Sequence, residues 1–237
     1  MRILVLGSGA REHAIIKSLL RTGTEPEDIV CAPGNSGIAR EVECRTDIDI
    51  NSELDVSRIA VSERADLVII GPEAPLVAGM TDVLKRQGVQ VFGPSKEAAQ
   101  LEGSKNFAKE IMKHAGVPTG GSTLCKTLEE VEKAMDQFGA PYVIKADGLA
   151  SGKGVIVTED REAAMDHAKK YIHDGILVEE FLDGQEVSLF FLSDGKNVMP
   201  LSPAQDFKRA YDNDEGPNTG GMGAYSPVPW LPEDFVD

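Results

Sequence analysis

The chain has 237 residues, 41% of them hydrophobic, which is enough for a sizeable core and allows one or two domains. Its formal net charge is −15, from 39 acidic against 24 basic residues, so it has no general attraction for DNA or RNA. Cys31, Cys44 and Cys125 form no C-x-x-C pair, and no apolar run is long enough for a signal peptide or a membrane span, so a soluble cytoplasmic protein with reduced thiols is expected.

Residues 2–6 read as a buried strand, and Gly7-Ser8-Gly9 as a tight turn after it. Residues 10–20 have helical spacing, with Ala14, Ile15, Leu19 and Leu20 on the apolar side. Strand, glycine turn and helix open a βαβ unit whose helix N-terminus can receive an anion. The dinucleotide fingerprint is incomplete. Glu12 replaces its third glycine and no acid ends the next strand at 29–31, which argues against an NAD-linked oxidoreductase. Arg11-Glu12-His13 reads either as a polar substrate contact or as a capping cluster. Pro33-Gly34-Asn35 is a turn, followed by an expected strand at 47–50 and a helix at 54–64. Residues 66–70, DLVII, form a continuous apolar strand ending in Gly71-Pro72-Glu73. A helix carries Leu76, Val77, Met80, Val83 and Leu84, and a strand at 89–92 ends in Gly93-Pro94-Ser95. This alternation predicts a doubly wound parallel sheet, with ligands outside the carboxyl ends of its strands, where these turns fall.

Ser104 is expected to cap a helix at 105–114, and Thr127 one that runs to about Phe138, with a short strand at 122–125 between them. Residues 143–157 read VIKADGLASGKGVIV: two β-branched runs joined by Gly, Ser and Lys. Lys145 ends the first run, and Gly148, Gly152 and Gly154 surround Lys153. Glycines let backbone N–H groups turn toward an anion, and lysines add charge, so this hairpin either closes over phosphates or is a plain solvated hairpin. It is no P-loop: it is one residue short, Gly154 stands where Ser or Thr is needed, and a strand follows instead of a helix. A helix near 161–171, a strand at 176–181 and a strand at 186–192 come next. After Pro200 periodicity fades. Residues 216–227, GPNTGGMGAYSP, suggest a glycine-rich loop whose amides, with Asn218 and Thr219, can cradle a ligand.

Lys105, Lys145, the glycine loop, Glu179-Glu180-Phe181-Leu182 and Glu186 occur in an order that resembles the ATP-grasp superfamily. GSGAREHA at 7–14, APGNSG at 32–37, GPEAPL at 71–76, FGPSKEAAQLEGSKNFAKE at 92–110, KADGLASGKGV at 145–155 and the 216–227 stretch narrow this further. Together they resemble the phosphoribosylamine–glycine ligase (glycinamide ribonucleotide synthetase) family over essentially the whole chain. The resemblance implies a Rossmann-like substrate-binding α/β domain at 1–103 and an incomplete α+β ATP-grasp domain at 104–237, with 119–183 as a mobile nucleotide-covering subdomain. It also implies a carbon–nitrogen ligase of purine synthesis that uses ATP and Mg2+ to join glycine to phosphoribosylamine through an acyl phosphate.

By the same resemblance Lys145, Lys153 and Arg209 are catalytic. Lys105, Lys145, Gly148, Ser151, Gly152, Lys153, Gly154 and Lys208 contact the nucleotide. Glu179, Glu180, Phe181 and Leu182 hold adenine, and Glu186 takes the ribose hydroxyls. Gly9, Arg11, Glu12, Asn35, Glu73, Asp206, Lys208, Arg209, Asn218, Thr219, Gly220 and Met222 receive phosphoribosylamine and glycine. Two departures matter. Phe207 stands where the family has His and forms no side-chain hydrogen bond, so affinity or rate suffers if the position touches substrate and little changes if it only packs. The family also continues beyond 237 residues, and the resemblance places the Glu and Asn that hold magnesium in that continuation. No metal ligand is therefore assigned here, this chain alone is expected to turn over little or no substrate, and the rest of a longer or multifunctional purine enzyme is the implied partner. A non-catalytic ATP-binding module and another ATP-grasp carboxylate–amine ligase are the competing readings.

Overall fold

ILVLG at Ile3–Gly7 is buried at all five positions, as a strand covered on both faces requires, and it forms the centre of the first sheet. In the computed structural model, which describes residues 1–149 and 154–236 with the side chains of Asp214 and Asn218 excepted, the chain divides into two units, Met1–Ala108 and Lys109–Asp237. The first unit has strands β1 (Ile3–Gly7), β2 (Ile29–Pro33), β3 (Glu43–Cys44), β4 (Leu67–Ile70) and β5 (Gln90–Phe92). All pair in parallel, in the order β3-β2-β1-β4-β5. Helices α1 (Ala10–Arg21), α2 (Glu53–Ser62), α3 (Glu73–Ala78), α4 (Met80–Arg86) and α5 (Lys96–Gly103) connect them, and α6 (Lys105–Ala115) follows. Alternation sorts the sheet into two faces. Leu4, Leu6, Val30, Val68 and Ile70 pack on α2 and α4, whereas Ile3, Val5, Ile29 and Ile69 pack on the α1 side. The doubly wound expectation holds, and the winding reverses at β1, between β2 and β4.

Several details differ from the sequence reading. No strand forms at 47–50; the third strand is Glu43–Cys44, and Ile48 and Ile50 pack from a loop against the core. On α1 the buried apolar residue is Ile16, while Ala14 is exposed. The helix expected around Leu76–Leu84 is broken in two at Gly79, whose φ of +102° suits glycine.

A network of charges closes the amino ends of this sheet. Glu63, its side chain only 9% exposed, lies between Arg2 and Arg45, with an Arg45 Nη2–Oε1 distance of 2.7 Å. Burial pushes the Glu63 carboxyl up, but hydrogen bonds from Arg2 and Arg45 outweigh it and hold it below the usual carboxylate range. A lowered folded-state value stabilises the fold above the unfolded-state value near 4.3 and loses that contribution as pH falls through the folded value. Glu63→Gln is therefore expected to cost about 1–3 kcal/mol at pH 7, on the scale of charge-assisted hydrogen bonds, and progressively less toward acid pH. Urea midpoints of both proteins across pH 3–7 check this; a gap that widens toward acid contradicts it.

The second unit holds a four-stranded antiparallel sheet in the order β6-β9-β7-β8, from β6 (Ser122–Cys125), β7 (Tyr142–Ala146), β8 (Val155–Thr158) and β9 (Ile176–Glu179). Helices α7 (Leu128–Phe138) and α8 (Arg161–Tyr171) cover one face through Val131, Ala134, Met135, Ala164 and Ala168, packed on Ile144, Ile176 and Val178. Thr127 Oγ1 accepts from the Glu130 N–H and caps α7, as its sequence predicts. Two two-stranded sheets follow. β10 (Phe191–Ser193) pairs with β11 (Val198–Pro200), and β12 (Gln205–Tyr211) with β13 (Glu215–Tyr225). The strand expected at 186–192 is thus mostly unpaired before Phe191, apart from an isolated Ser188–Ala204 bridge. The glycine-rich stretch expected as a loop is a strand up to Tyr225. Phe190, Phe191, Val198 and Met199 are all at least half exposed or nearly so, at 49–63%.

Candidate functional site

In the first unit the expected contacts gather at the carboxyl ends of β1, β2 and β4. Glu12 enters the first turn of α1 and folds back on the turn before it, so that its Oε2 accepts the Gly9 N–H at 2.6 Å. It is only 3% exposed and caps the start of α1. Beside it the Arg11 guanidinium donates to the Gly71 carbonyl at 2.6 Å and to Glu73 Oε1 at 2.8 Å, joining the ends of β1 and β4. Burial pushes the Glu73 carboxyl up, but its own backbone N–H and Arg11 outweigh this and hold it below the usual range. Asn35 Nδ2 donates to the Ser8 carbonyl at 2.8 Å, while its Oδ1 accepts from the N–H groups of Gly37 and Ile38. His13 Nε2 lies 2.8 Å from Glu41 Oε1, which Lys17 also approaches at 3.0 Å. Gly9, Arg11, Glu12, Asn35 and Glu73 therefore share the end of the sheet where parallel α/β folds take ligands.

In the second unit, antiparallel register builds a charge cluster. Val143 pairs with Glu179 and Lys145 with Leu177, so Lys145 and Glu179 are diagonal neighbours on one face, opposite α7 and α8. Lys145 Nζ donates to Glu179 Oε2 at 2.8 Å. Lys109, on α6, approaches the same oxygen at 3.5 Å and donates to Thr119 Oγ1 at 2.8 Å and to the Gly120 carbonyl at 3.0 Å. Glu180 Oε2 accepts the Gly121 N–H at 3.0 Å, while Phe181 and Leu182 are exposed. Sequence reading missed Lys109. Its four-residue spacing from Lys105, one helical turn, was the available signal. The hairpin closes as expected, with the Ala146 N–H donating to the Gly154 carbonyl at 2.7 Å and Gly148 at φ +103°. Ser151, Gly152 and Lys153 lie outside the described residues.

A third group sits on the β12–β13 ribbon. Lys208 Nζ contacts Glu186 Oε1 and, at 3.0 Å, Asp206 Oδ1. Burial lowers the Lys208 ammonium, but these carboxylates outweigh it and hold it above the ordinary lysine value. Arg209 donates to the Gly216 carbonyl at 2.8 Å, and Thr219 Oγ1 to the Lys208 carbonyl at 2.9 Å. The Asn218 backbone pairs with Arg209, and Met222 is 62% exposed. Phe207 is 54% exposed and tilts against the Tyr225 ring at 5.8 Å. Lys105 opens α6, half-buried, and Gly220 has open space where a side chain would be. Among the described residues, no three His, Cys, Asp or Glu side chains converge as a metal-ligand set. Nor, among them, is any helix long and apolar enough to cross a membrane.

Comparison with known proteins gives a consistent result. Residues 1–102 match the N domain of phosphoribosylglycinamide synthetase, and residues 103–237 match its ATP-grasp (A) domain. A phosphoribosylamine–glycine ligase from Leifsonia xyli subsp. xyli is 63% identical over 100% of this chain. A crystal structure of phosphoribosylamine–glycine ligase from Thermotoga maritima is 34% identical, with a TM-score of 0.79 over 96% of this chain. An ADP complex of N5-carboxyaminoimidazole ribonucleotide synthetase, 19% identical, shares the fold with a TM-score of 0.70, covering 90% of this chain and 55% of its own. The chain spans 57% of the Leifsonia protein and 56% of the Thermotoga chain.

Proposed function

We infer the activity from one premise: this chain belongs to the phosphoribosylglycinamide synthetase family. The reaction is the ATP-dependent joining of glycine to 5-phosphoribosylamine, a step of purine synthesis in the cytoplasm. ATP phosphorylates the glycine carboxylate, releasing ADP; the amine then attacks the acyl carbon, phosphate leaves, and glycinamide ribonucleotide forms. The observation that carries this reading is the Lys145–Glu179–Lys109 cluster, two ammonium groups on one carboxylate at the end of β9. Phosphoryl transfer between two anions depends on positive charge and positioning more than on a covalent nucleophile.

The residues fit a triphosphate. Lys145, with its side chain 28% exposed, is placed to take a phosphate oxygen, and the Glu179–Leu182 segment follows directly on β9 to receive the base. Lys105 and Lys153 are assigned to the phosphates, and Glu186 to the ribose. Magnesium neutralises phosphate charge when bound. Arg11, Asn35 and Glu73, at the sheet end of the first unit, are assigned to phosphoribosylamine, as are Asp206, Arg209 and Thr219 to the two substrates. The remaining length found in the relatives is the implied partner within one polypeptide.

ADP release with ATP, magnesium, glycine and freshly generated phosphoribosylamine tests this, using the 237-residue chain beside protein extended to the relatives' length. ADP release that needs both glycine and the amine supports the reading. Release indifferent to both, or driven by another carboxylic acid, contradicts it. Saturable ATP binding without any turnover in either protein favours a binding module.

A further inference from the structure

We propose that Lys109 is a positioning residue of the nucleotide site, which shares the Glu179 carboxylate with Lys145 and thereby frees Lys145 to bind phosphate. The proposal rests on the nucleotide reading of the second unit. Its starting point is geometric: Glu179 Oε2 lies 2.8 Å from Lys145 Nζ and 3.5 Å from Lys109 Nζ. The Glu179 side chain is 10% exposed, that of Lys109 16% and that of Lys145 28%.

An ammonium has three donors. Two of those of Lys109 go to Thr119 Oγ1 and the Gly120 carbonyl, and its charge faces Glu179 at 3.5 Å, so it is tethered away from a phosphate. Lys145 is the more exposed of the two and, among the described residues, is held by Glu179. When an anion draws Lys145 away, a carboxylate that is nearly buried would lose its counter-ion, which is costly. Lys109 removes that cost because it is already anchored to the β6 approach and stays beside Glu179. The two lysines also repel each other across the shared oxygen, which weakens the hold of Glu179 on Lys145 in the ligand-free protein. Without Lys109, the Lys145–Glu179 pair tightens and competes with phosphate.

Trace acetylation with acetic anhydride, read by mass spectrometry at Lys145 in the 237-residue chain, tests this without relying on turnover. In Lys109→Met without nucleotide, Lys145 loses a repelling neighbour and its ammonium is held more firmly on Glu179. Its labelling is expected to fall about threefold or more. ATP should protect Lys145 in the wild type, with half-protection at an ATP concentration about tenfold higher in Lys109→Met, and Lys109→Arg should restore both values. Lys109→Gln keeps hydrogen bonding toward Thr119 and Gly120 without the charge, and serves if the Met variant does not fold. Thr119→Ala loosens the anchor but keeps the charge, and should leave ligand-free labelling near wild type.

Unchanged Lys145 labelling in folded Lys109→Met or Lys109→Gln overturns the proposal, as does Thr119→Ala reproducing the full effect. If ATP protects wild type and Lys109→Met equally, the proposal alone fails. If ATP protects Lys145 in no protein, the nucleotide reading fails and takes the proposal with it.

Discussion

Lys145→Met is expected to weaken ATP binding about tenfold to a hundredfold, the range for losing one hydrogen bond to a charged group in a partly buried site. The substitution acts twice. It removes the ammonium best placed for a phosphate oxygen, and among the described residues it leaves Glu179 neutralised by Lys109 alone, at 3.5 Å. The net charge of the trio drops from one positive to none, so an approaching triphosphate meets a weaker field. Lys145→Arg should recover only part of the loss, because a planar guanidinium on Glu179 prefers two-point pairing and is harder to detach. Calorimetric titration with a non-hydrolysable ATP analogue checks these values. The effect should shrink at high salt, since part of it is long-range. Affinity within twofold of wild type in Lys145→Met would remove Lys145 from the nucleotide site.

How far this site could be read from sequence depends on which interactions have a local signature. Lys145 was legible because a β-branched run followed by glycines marks a strand end, and a lysine there is unusual company. Its partner was legible only as a residue. That Glu179 lies diagonally across from Lys145 follows from the β7–β9 register, which pairs residues 34 apart in sequence and which no local pattern encodes. Lys109 was missed for the same reason, since its role comes from Thr119, Gly120 and Glu179, none of them its helical neighbours. Helix α5 went unread although Ser95 accepts the Ala98 N–H as an N-cap and strong helix formers follow it.

The strand errors share one cause. EVSLFFL alternates well enough to suggest a long strand, but a strand exists only where a partner lies alongside, and β11 offers three residues. GPNTGGMGAY has little alternation and many glycines, yet it folds back on β12 as a hairpin with two register shifts, held by cross-strand hydrogen bonds. The continuous apolar strands β1 and β4 were easy for the opposite reason: burial on both faces forces their composition. The doubly wound sheet was therefore the most legible part of the fold, and the ribbons after Pro200 the least.

Gly71→Ala is expected to destabilise the first unit by about 2–4 kcal/mol, combining overpacking with loss of a helix cap. A Cβ at Gly71 would stand 1.9 Å from Glu12 Oε1 and 2.6 Å from its Cδ. Ordinarily a glutamate tip swings aside at little cost. Here Gly7 and Gly9 crowd the same carboxylate, with virtual Cβ distances of 2.6 Å and 3.0 Å, and its Oε2 is held by the Gly9 N–H. Three glycines thus leave the space that this side chain fills. To accommodate alanine, Glu12 must leave, which strips the start of α1 of its acceptor, or β4 must shift, which displaces the Gly71 carbonyl from Arg11. Either route disturbs the Arg11–Glu73 pair, so a loss of phosphoribosylamine affinity should accompany the loss of stability. The cause can be isolated with a double-mutant cycle: in a Glu12→Ala background the clash is gone, and Gly71→Ala should cost about 1 kcal/mol or less. Urea unfolding of the four proteins gives the coupling directly. Additive costs would mean that the glycine is required by the backbone and not by Glu12. Coupling of about 1 kcal/mol or more would mean that the glycine turns after β1 and β4 exist to house a capping carboxylate, which in turn fixes the loops assigned to substrate.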